Sequence, residues 1–314
     1  METANVAMRF SAKNEANSNL IDLTRECMDK DNAEFFSLVA NRLQQLDESG
    51  FNLQNGRTFK NGLRAAIGLI GEYGLIGYTI RQAQSIIRVD KGPSYWSHSF
   101  LFYDSVPKDA SLIRSKSQGS PMIWESTIDF HSETPQLNIV NGVSNRYLSD
   151  YCKPDFDIFS MHCVPNAAAI IFALSDDEVE QILNRATDPN VDQLKYDFSG
   201  LIGTWLAYLF NKQNEENPLG AGNALYCSAY CQLAFDAVKI DLATGAHARN
   251  TSPENIWQGA KKLYDDYGRV GYPVIGFYCL RDPYCQMIPS EVSDESKFTT
   301  SQKDAYDRIR IKNA

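Results

Sequence analysis

The sequence predicts an α+β fold, because helix-like and strand-like stretches occupy separate parts of the chain. Apolar side chains recur at helical spacing in residues 21–46, which predicts one long helix near the N-terminus. A capping box at residues 175–178 begins a predicted helix that extends to about Ala186. Runs enriched in aromatic and β-branched side chains predict strands at residues 95–104, 121–130, 136–143, 156–164 and 272–280.

A glycine-rich stretch at residues 63–80 contains Gly-Leu-Ile-Gly twice, with a glycine at every third position from Gly68 to Gly77. The favoured interpretation is a helix and a turn, in which the missing side chains let neighbouring elements pack closely. The alternative is a surface that contacts lipid or an acyl chain. Charged residues at positions 64, 72 and 81 argue against a membrane-spanning segment here.

Composition and charge exclude several classes of protein. The chain has 314 residues, enough for one large domain or two ordinary ones, and 43% of them are hydrophobic. The net charge of −9 argues against a dedicated nucleic-acid-binding protein, so we expect no nucleic-acid partner. The first 19 residues lack a signal-peptide pattern, and no apolar run is long enough to span a bilayer. We therefore expect no stable membrane insertion, and a location in the cytoplasm or export without a signal peptide.

Seven cysteines occur in the chain, an odd number, and none of them forms a CxxC pair. This pattern predicts reduced thiols rather than a disulfide framework or a zinc knuckle. Cys227 and Cys231 would share a helix face, so a metal site built on this pair is a minor alternative. We expect neither a metal nor another cofactor.

Cys227 follows a turn-like cluster at residues 220–223 and begins an amphipathic helical stripe that continues through Tyr230, Cys231 and Ala234. It is therefore predicted in the first turn of a helix. Unpaired backbone N–H groups and the helix dipole favour a thiolate there. The alternative is a small buried residue, since free cysteine is among the most buried residue types.

Two residues on predicted strands are candidate partners of this thiol. His98 lies on the same predicted strand face as Phe100 and Phe102, and apolar neighbours would hold the imidazole as a general base requires. The alternative is a histidine at the surface or one satisfied in the core. Glu125 lies among Met, Ile and Trp in the next strand, where a buried carboxylate needs a partner.

Short motifs along the chain occur in the order found in a known family. They are Ser97-His98 on a strand, Glu125 on the next strand, Tyr196-Asp197 before a helix, Cys227-Ser228 at a helix start and Ser252-Pro253 downstream. Together they resemble the circularly permuted NlpC-type papain-like cysteine hydrolases, which are related to the lecithin:retinol acyltransferase-like proteins. The resemblance spans roughly residues 75–280. It implies a papain-like fold with an antiparallel sheet packed on the cysteine-bearing helix.

We expect the chain to divide into three parts, of which the resemblance concerns the middle one. Residues 1–60 would form an N-terminal helical region whose role is open, either a cap over the site or an arm that binds a partner. Residues 61–290 would form the papain-like catalytic domain. Residues 291–314 would form a polar tail or a peripheral helix.

A mechanism also follows from the resemblance. Cys227 would be the nucleophile, His98 its activating base and Glu125 the residue that orients the imidazole. The backbone N–H of Cys227 would donate to the oxyanion. Tyr95 and Tyr226 would bind substrate, as wall or oxyanion residues.

Two features depart from the family pattern. Ala229 stands where the permuted family often has an acidic residue, which weakens the substrate analogy more than the chemistry. Residues 196–202 resemble the Asp-Cys-Ser-Gly-Leu nucleophile motif of the unpermuted relatives, with Phe198 at the cysteine position. That assignment needs a downstream strand histidine, and only His247 follows, in a stretch that is not strand-like. We therefore favour Cys227.

Three functions are compatible with these residues. The leading one is a cysteine peptidase or amidase that cleaves an amide, for example in peptidoglycan peptide, through a thioester. A wall target would imply delivery into another cell as an effector, with an immunity or partner protein. The second is a thiol acyltransferase or lipid hydrolase, which an apolar cavity beside Cys227 would favour. The third is a non-catalytic binding module, which predicts an unreactive Cys227 or a His98 that points away from it.

Overall fold

A computed structural model of the chain provides the fold. It describes residues 19–48, 57–72, 75–88, 92–131, 138–152, 164–196, 215, 224–243, 246–265 and 274–281. No helix among these residues is long and apolar enough to cross a membrane.

Strands in the described ranges form one large mixed sheet and one small pair. The nine strands are β1 Leu20–Asp22, β2 Ile67–Gly71, β3 His98–Phe102, β4 Met122–His131, β5 Asn138–Tyr147, β6 Asn166–Phe172, β7 Lys195–Tyr196, β8 Ala224–Leu225 and β9 Val274–Leu280. The large sheet has the order β1-β9-β6-β2-β3-β4-β5, and β7 pairs with β8 separately. Neighbours in the large sheet are antiparallel except β1 and β9, which are parallel.

Helices cover both faces of the large sheet. The α-helices are α1 Thr24–Cys27, α2 Asn32–Glu48, α3 Leu75–Ala83, α4 Ala110–Ile113, α5 Asp176–Ala186, α6 Pro189–Asp192, α7 Cys227–Phe235 and α8 Pro253–Asp265. Short 3₁₀-helices occur at Gln84–Ile86, Lys116–Gln118, Leu148–Tyr151, Asp236–Val238 and Ala248–Asn250. The α+β prediction is confirmed, but the sheet is mixed rather than wholly antiparallel because β1 runs parallel to β9.

Two hydrophobic cores lie on opposite faces of this sheet, as the alternation of strand side chains requires. One core contains Leu101 of β3 together with α5, α7 and α8. The other contains Phe100 and Phe102 of β3 together with α2. α7 packs directly on β3 and β4, so the helix that begins at Cys227 lies over the strands that carry His98 and Glu125.

The predicted helix at residues 21–46 is wrong at its start. The chain forms β1, then α1, and α2 begins only at Asn32. Asp31 explains the break: its carboxylate accepts from the backbone N–H of Glu34 at 2.9 Å, and Glu34 accepts from the backbone N–H of Asp31 at 3.2 Å. This reciprocal capping box begins a new helix. Gly50, which follows the periodic stretch and is typical of a helix end, lies outside the described residues.

The glycine-rich stretch is a strand followed by a helix, rather than a helix and a turn. β2 contains the first Gly-Leu-Ile-Gly and is buried throughout, so this copy is not a lipid-facing surface. The close packing expected of its glycines is confirmed. A methyl group at Gly68 would lie 2.2 Å from the Phe100 ring, and one at Gly71 would lie 2.0 Å from the carbonyl oxygen of Tyr95. Both contacts bring β2 against the segment that carries His98.

Four of the five predicted strands are confirmed, and the fifth lies almost wholly outside the described residues. β3, β4, β5 and β9 confirm the runs at 95–104, 121–130, 136–143 and 272–280, and α5 begins at the predicted capping box and ends at Ala186. The run predicted at 156–164 lies outside the described residues except for Val164, which is not in a strand. β6 was not predicted, because its Ala-Ala-Ala segment lacks the aromatic and β-branched residues typical of strands.

The described part of the N-terminal region belongs to the same sheet and core as the rest of the chain. β1 pairs with β9 from Leu20↔Gly276 to Asp22↔Tyr278. α2 buries Phe36 against Phe100 of β3, with ring centroids 6.4 Å apart. The boundaries at residues 60 and 290 stay predictions, and residues 291–314 lie outside the described residues.

Candidate active site

The N-terminus of α7 is held by three hydrogen bonds from neighbouring elements. The Ser126 hydroxyl of β4 donates to the Leu225 carbonyl at 2.6 Å, which fixes the chain two residues before Cys227. The Ser228 hydroxyl donates to the Thr251 carbonyl at 2.6 Å, and the Tyr226 hydroxyl donates to the carbonyl of Arg249. Cys227 is the first residue of the helix, as predicted, and follows an extended Tyr226.

His98 and Cys227 approach each other where β3 and β4 stop pairing. β3 pairs with β2 as far as Ile70↔His98, but its pairing with β4 covers only Leu101↔Trp124 and Phe102↔Ile123. His98 lies on the sheet face of Phe100, whereas α7 packs on the other face. A continuous ladder would place backbone between the two faces. The open end of the β3–β4 pair therefore lets the thiol on one face lie beside the imidazole on the other, where each group shifts the pKa of its neighbour.

Glu125 holds the far side of the imidazole. His98 Nε2 lies 2.8 Å from Glu125 Oε2, which leaves Nδ1 as the ring nitrogen for the thiol. The Tyr151 hydroxyl donates to the same carboxylate oxygen at 2.6 Å, and Arg146 Nε lies 2.9 Å from Oε1. Glu125 is fully buried, so its negative charge is balanced by protein groups rather than by water.

The pKa values of the three residues shift in the directions that favour a charged pair. Burial by itself lowers the pKa of His98, but the charges of Cys227 and Glu125 and their hydrogen bonds raise it well above its usual value. Burial raises the pKa of Cys227, yet His98 and hydrogen bonds from His98 and Ser99 lower it overall. Burial likewise raises the pKa of Glu125, and His98, Arg146 and Tyr151 lower it overall. The site therefore favours a thiolate beside an imidazolium.

Cys231, one helical turn further on, differs sharply from Cys227. Its Sγ lies 3.8 Å from the hydroxyl of Ser99, and burial, with the nearby charge of Cys227, raises its pKa. Cys231 is therefore an inert thiol at neutral pH. No group of three or more candidate metal ligands occurs within the described ranges, so nothing there supports a metal site on the Cys227–Cys231 pair.

The two tyrosines predicted to bind substrate are both buried. Tyr95 packs edge-to-face on Trp96 with ring centroids 6.1 Å apart, and the Arg88 guanidinium lies 4.3 Å from its ring centroid. The hydroxyl of Tyr226 donates its hydrogen bond to the carbonyl of Arg249. Their roles toward substrate stay predictions.

The rejected alternative nucleophile segment can be placed only in part. Tyr196 ends β7, and residues 197–202 lie outside the described residues. His247 precedes the 3₁₀-helix at Ala248–Asn250, where its Nδ1 accepts from the backbone N–H of Arg249 at 3.3 Å. It is not on a strand.

Sequence reasoning missed the two groups that hold Glu125. A signal was present: a carboxylate in an apolar strand needs a counter-charge, and Arg146 is the arginine of the neighbouring strand β5. Antiparallel registry places Arg146 opposite Ile123, two residues from Glu125 on the same face. Tyr151 gave no such signal, because its position depends on the 3₁₀ turn that follows β5.

The chain was also compared with known proteins. No family model matches it, and neither a curated protein nor a solved structure does.

Proposed function

We propose that this protein is a cysteine-dependent hydrolase that cleaves an amide bond through Cys227, His98 and Glu125, on a permuted papain-like fold. The observation that carries the proposal is the row of these three side chains at the start of a helix, in which Glu125 is hydrogen-bonded to His98 and the thiol of Cys227 lies beside the imidazole. A structural histidine needs only one partner, whereas here a buried carboxylate and a thiol occupy the two sides of one imidazole. This is the relation of nucleophile, base and orienting acid that acyl transfer requires.

In the proposed reaction, the Cys227 thiolate attacks the carbonyl carbon of a bound amide. The backbone N–H of Cys227, at the helix N-terminus, donates to the oxyanion. His98 then gives its proton to the departing amine, and the C–N bond breaks to leave a thioester. Water next transfers a proton to His98 and attacks the thioester, which releases the acid and regenerates the thiolate and the imidazolium.

Glu125 has a defined part in both steps. Its hydrogen bond fixes the imidazole so that Nδ1 faces the sulfur, and its charge stabilises the imidazolium. We propose peptides as the substrate class, with peptidoglycan peptide and γ-glutamyl amides as the first to screen. Action on a cell wall would make the protein an exported effector, and an immunity or partner protein would then block the site.

A non-catalytic binding module is the second candidate, and burial of the site favours it. Cys227 is only 3% exposed and His98 only 8%, so little of either side chain is open to a substrate. This candidate predicts that no substrate acylates Cys227.

An acyltransferase or lipid hydrolase has less support. A cavity of about 300 Å³ does lie beside α7, with Leu225, Ala229 and Leu233 among its described walls. Ala229 and Leu233 lie on the helix face opposite Cys227, and Cys227 is not among those walls. This space is therefore not the acyl pocket beside the thiol that such an enzyme needs.

Trapping of an acyl-enzyme tests the proposal. The protein would be incubated with activated peptide amides and, separately, with acyl esters, quenched in acid and analysed by intact and peptide mass spectrometry. We expect an adduct on Cys227 from the amides, lost in Cys227→Ala and kept in Cys231→Ala, the matched control. No adduct with any amide would favour the binding module, and adducts from acyl esters alone would favour the acyltransferase.

A further inference from the structure

Glu125 has more support than the orientation of one imidazole requires. Three groups from three different elements contact its carboxylate: His98 on β3, Arg146 on β5 and Tyr151 in the Leu148–Tyr151 turn. A buried carboxylate without such partners would take up a proton. A protonated Glu125 would no longer stabilise a charged imidazolium, so the ionisation of Glu125 decides whether the pair forms.

We propose that Arg146 and Tyr151 are positioning residues that hold Glu125 as a carboxylate facing His98. The proposal rests on the function proposed above and concerns the same site. The charges along the row then alternate, from Arg146 (positive) to Glu125 (negative), His98 (positive) and Cys227 (negative). Each buried charge has an opposite neighbour and the row is neutral in sum, which keeps a charged pair stable in a site without bulk water.

Removal of Arg146 would leave this row with a net negative charge. Both anions would then be harder to form, so Glu125 and Cys227 would ionise at higher pH. Loss of the Tyr151 hydroxyl would act more weakly, because it removes one hydrogen bond and no charge. Within the described ranges, the other titratable groups whose charge acts on the site are Glu72 after β2, which acts on Tyr151, and Cys231 on α7.

The N-terminal region supports this network through Tyr151. The Tyr151 ring stacks on Phe100 with a centroid distance of 5.4 Å and an interplanar angle of 5°. Its carbonyl accepts from Nδ2 of Asn32, the first residue of α2, at 2.9 Å. Asn32 is fully buried and also donates to the carbonyl of Val164 at 3.0 Å. Asn32 of α2 therefore holds the turn that carries Tyr151.

The test is the pH dependence of the rate at which iodoacetamide alkylates Cys227, measured by peptide mass spectrometry. Variants are Tyr151→Phe, which keeps the ring stack, and the pair Arg146→Lys and Arg146→Gln, which keep and remove the charge. Tyr147→Phe is the control, because Tyr147 is 39% exposed on the same strand as Arg146. We expect the midpoint of the acid limb, the pH at which the alkylation rate is half its maximum, to shift upward by about 1 pH unit in Arg146→Gln. In Tyr151→Phe we expect an upward shift of about half a unit. Arg146→Lys and Tyr147→Phe should stay close to wild type.

The outcomes separate this inference from the proposed function. Wild type with an acid limb below about pH 7, and the same limb in Arg146→Gln and Tyr151→Phe, would overturn the inference and leave the function standing. Wild type without a reactive Cys227 would contradict the function itself. If Arg146→Gln fails to fold, Tyr151→Phe decides alone, because it changes one hydroxyl and leaves the stacked ring in place. A limb that shifts equally in Tyr147→Phe would also overturn the inference.

Discussion

Two of the glutamates that the structure describes, Glu125 and Glu254, are fully buried, and their pKa values shift in opposite directions. Glu125, in the candidate site, has a lowered pKa, although burial alone would raise it. Glu254, at the start of α8, has a raised pKa, because burial outweighs the charge of Arg88 and the hydrogen bonds of its neighbours. The same residue type at the same burial thus has pKa shifts of opposite sign in two parts of one fold.

The difference lies in the charged groups that touch each carboxylate. Glu125 has Arg146 at 2.9 Å and His98 at 2.8 Å. Glu254 accepts from the Ser94 hydroxyl at 2.6 Å and from the Gln258 amide at 2.7 Å, while Arg88 is 3.8 Å away. Neutral donors fix the geometry of Glu254 and link α8 to residues 84–94, but they do not hold a charge. Burial alone therefore does not set the direction of these two pKa shifts, and contact with opposite charges does.

Exchange of each glutamate for glutamine, its neutral isostere, should give the largest contrast in activity and in unfolding free energy. Glu125→Gln should lower amide-cleaving activity about 10- to 100-fold, because the amide still orients His98 but no longer stabilises its charge. It should also cost about 3 kcal/mol of unfolding free energy, since Arg146 stays buried opposite a neutral group. Denaturant unfolding and steady-state kinetics would measure both effects.

Glu254→Gln is the matched comparison. Its amide oxygen can keep the Ser94 hydrogen bond, and the raised pKa means that the fold already disfavours the charge that is removed, so we expect unchanged activity and a stability change of less than about 1 kcal/mol. Equal loss of activity in the two variants would contradict the distinction between the two glutamates.

The pH dependence of stability should also differ between the same two variants, although by less than their activities and their unfolding free energies differ. A lowered pKa stabilises the fold above the unfolded value of about 4.3, and this stabilisation is lost as pH falls through the folded value. A raised pKa has the opposite sign, so Glu254 costs stability as pH rises from about 4.3 through its folded value. From pH 4 to pH 8, Glu254→Gln should therefore gain stability relative to wild type, whereas Glu125→Gln should not. Thermal unfolding of both variants and wild type from pH 4 to pH 8 measures this difference in stability. Curves of stability against pH that run parallel for the two variants would contradict the opposite pKa shifts of Glu125 and Glu254.

Local chemistry made most of the fold predictable. The strands that carry His98 and Glu125 have aromatic and branched side chains, and α5 begins at its capping box, so these elements followed from the sequence. The predicted helix at 21–46 failed because a capping box at Asp31 and pairing with a strand more than 250 residues later override helical periodicity. β6 was not predicted from the sequence because its alanines, which are buried on both faces of the sheet, lack the strand propensity of aromatic and β-branched residues.

The candidate site was predictable in its reacting groups but not in their support. Cys227, His98 and Glu125 each stand in an unusual local setting, and the structure brings all three side chains together, with Glu125 hydrogen-bonded to His98. The local sequence around Arg146 and Tyr151 has no feature typical of a functional site. Only the registry of β5 with β4 and the turn after β5 bring the two side chains to Glu125. Residues of this second kind depend on tertiary packing, which a local pattern does not encode.

The most direct test of the thiolate–imidazolium pair is the pH dependence of Cys227 alkylation by iodoacetamide in wild type and in His98→Ala. Cys231, with its raised pKa, is the internal reference in the same digest. We predict that Cys227 alone among the seven cysteines reacts rapidly below about pH 7, and that His98→Ala removes this reactivity. Alkylation of Cys227 at the rate of an ordinary thiol, or not at all, in both proteins would contradict the pair and with it the proposed catalytic function.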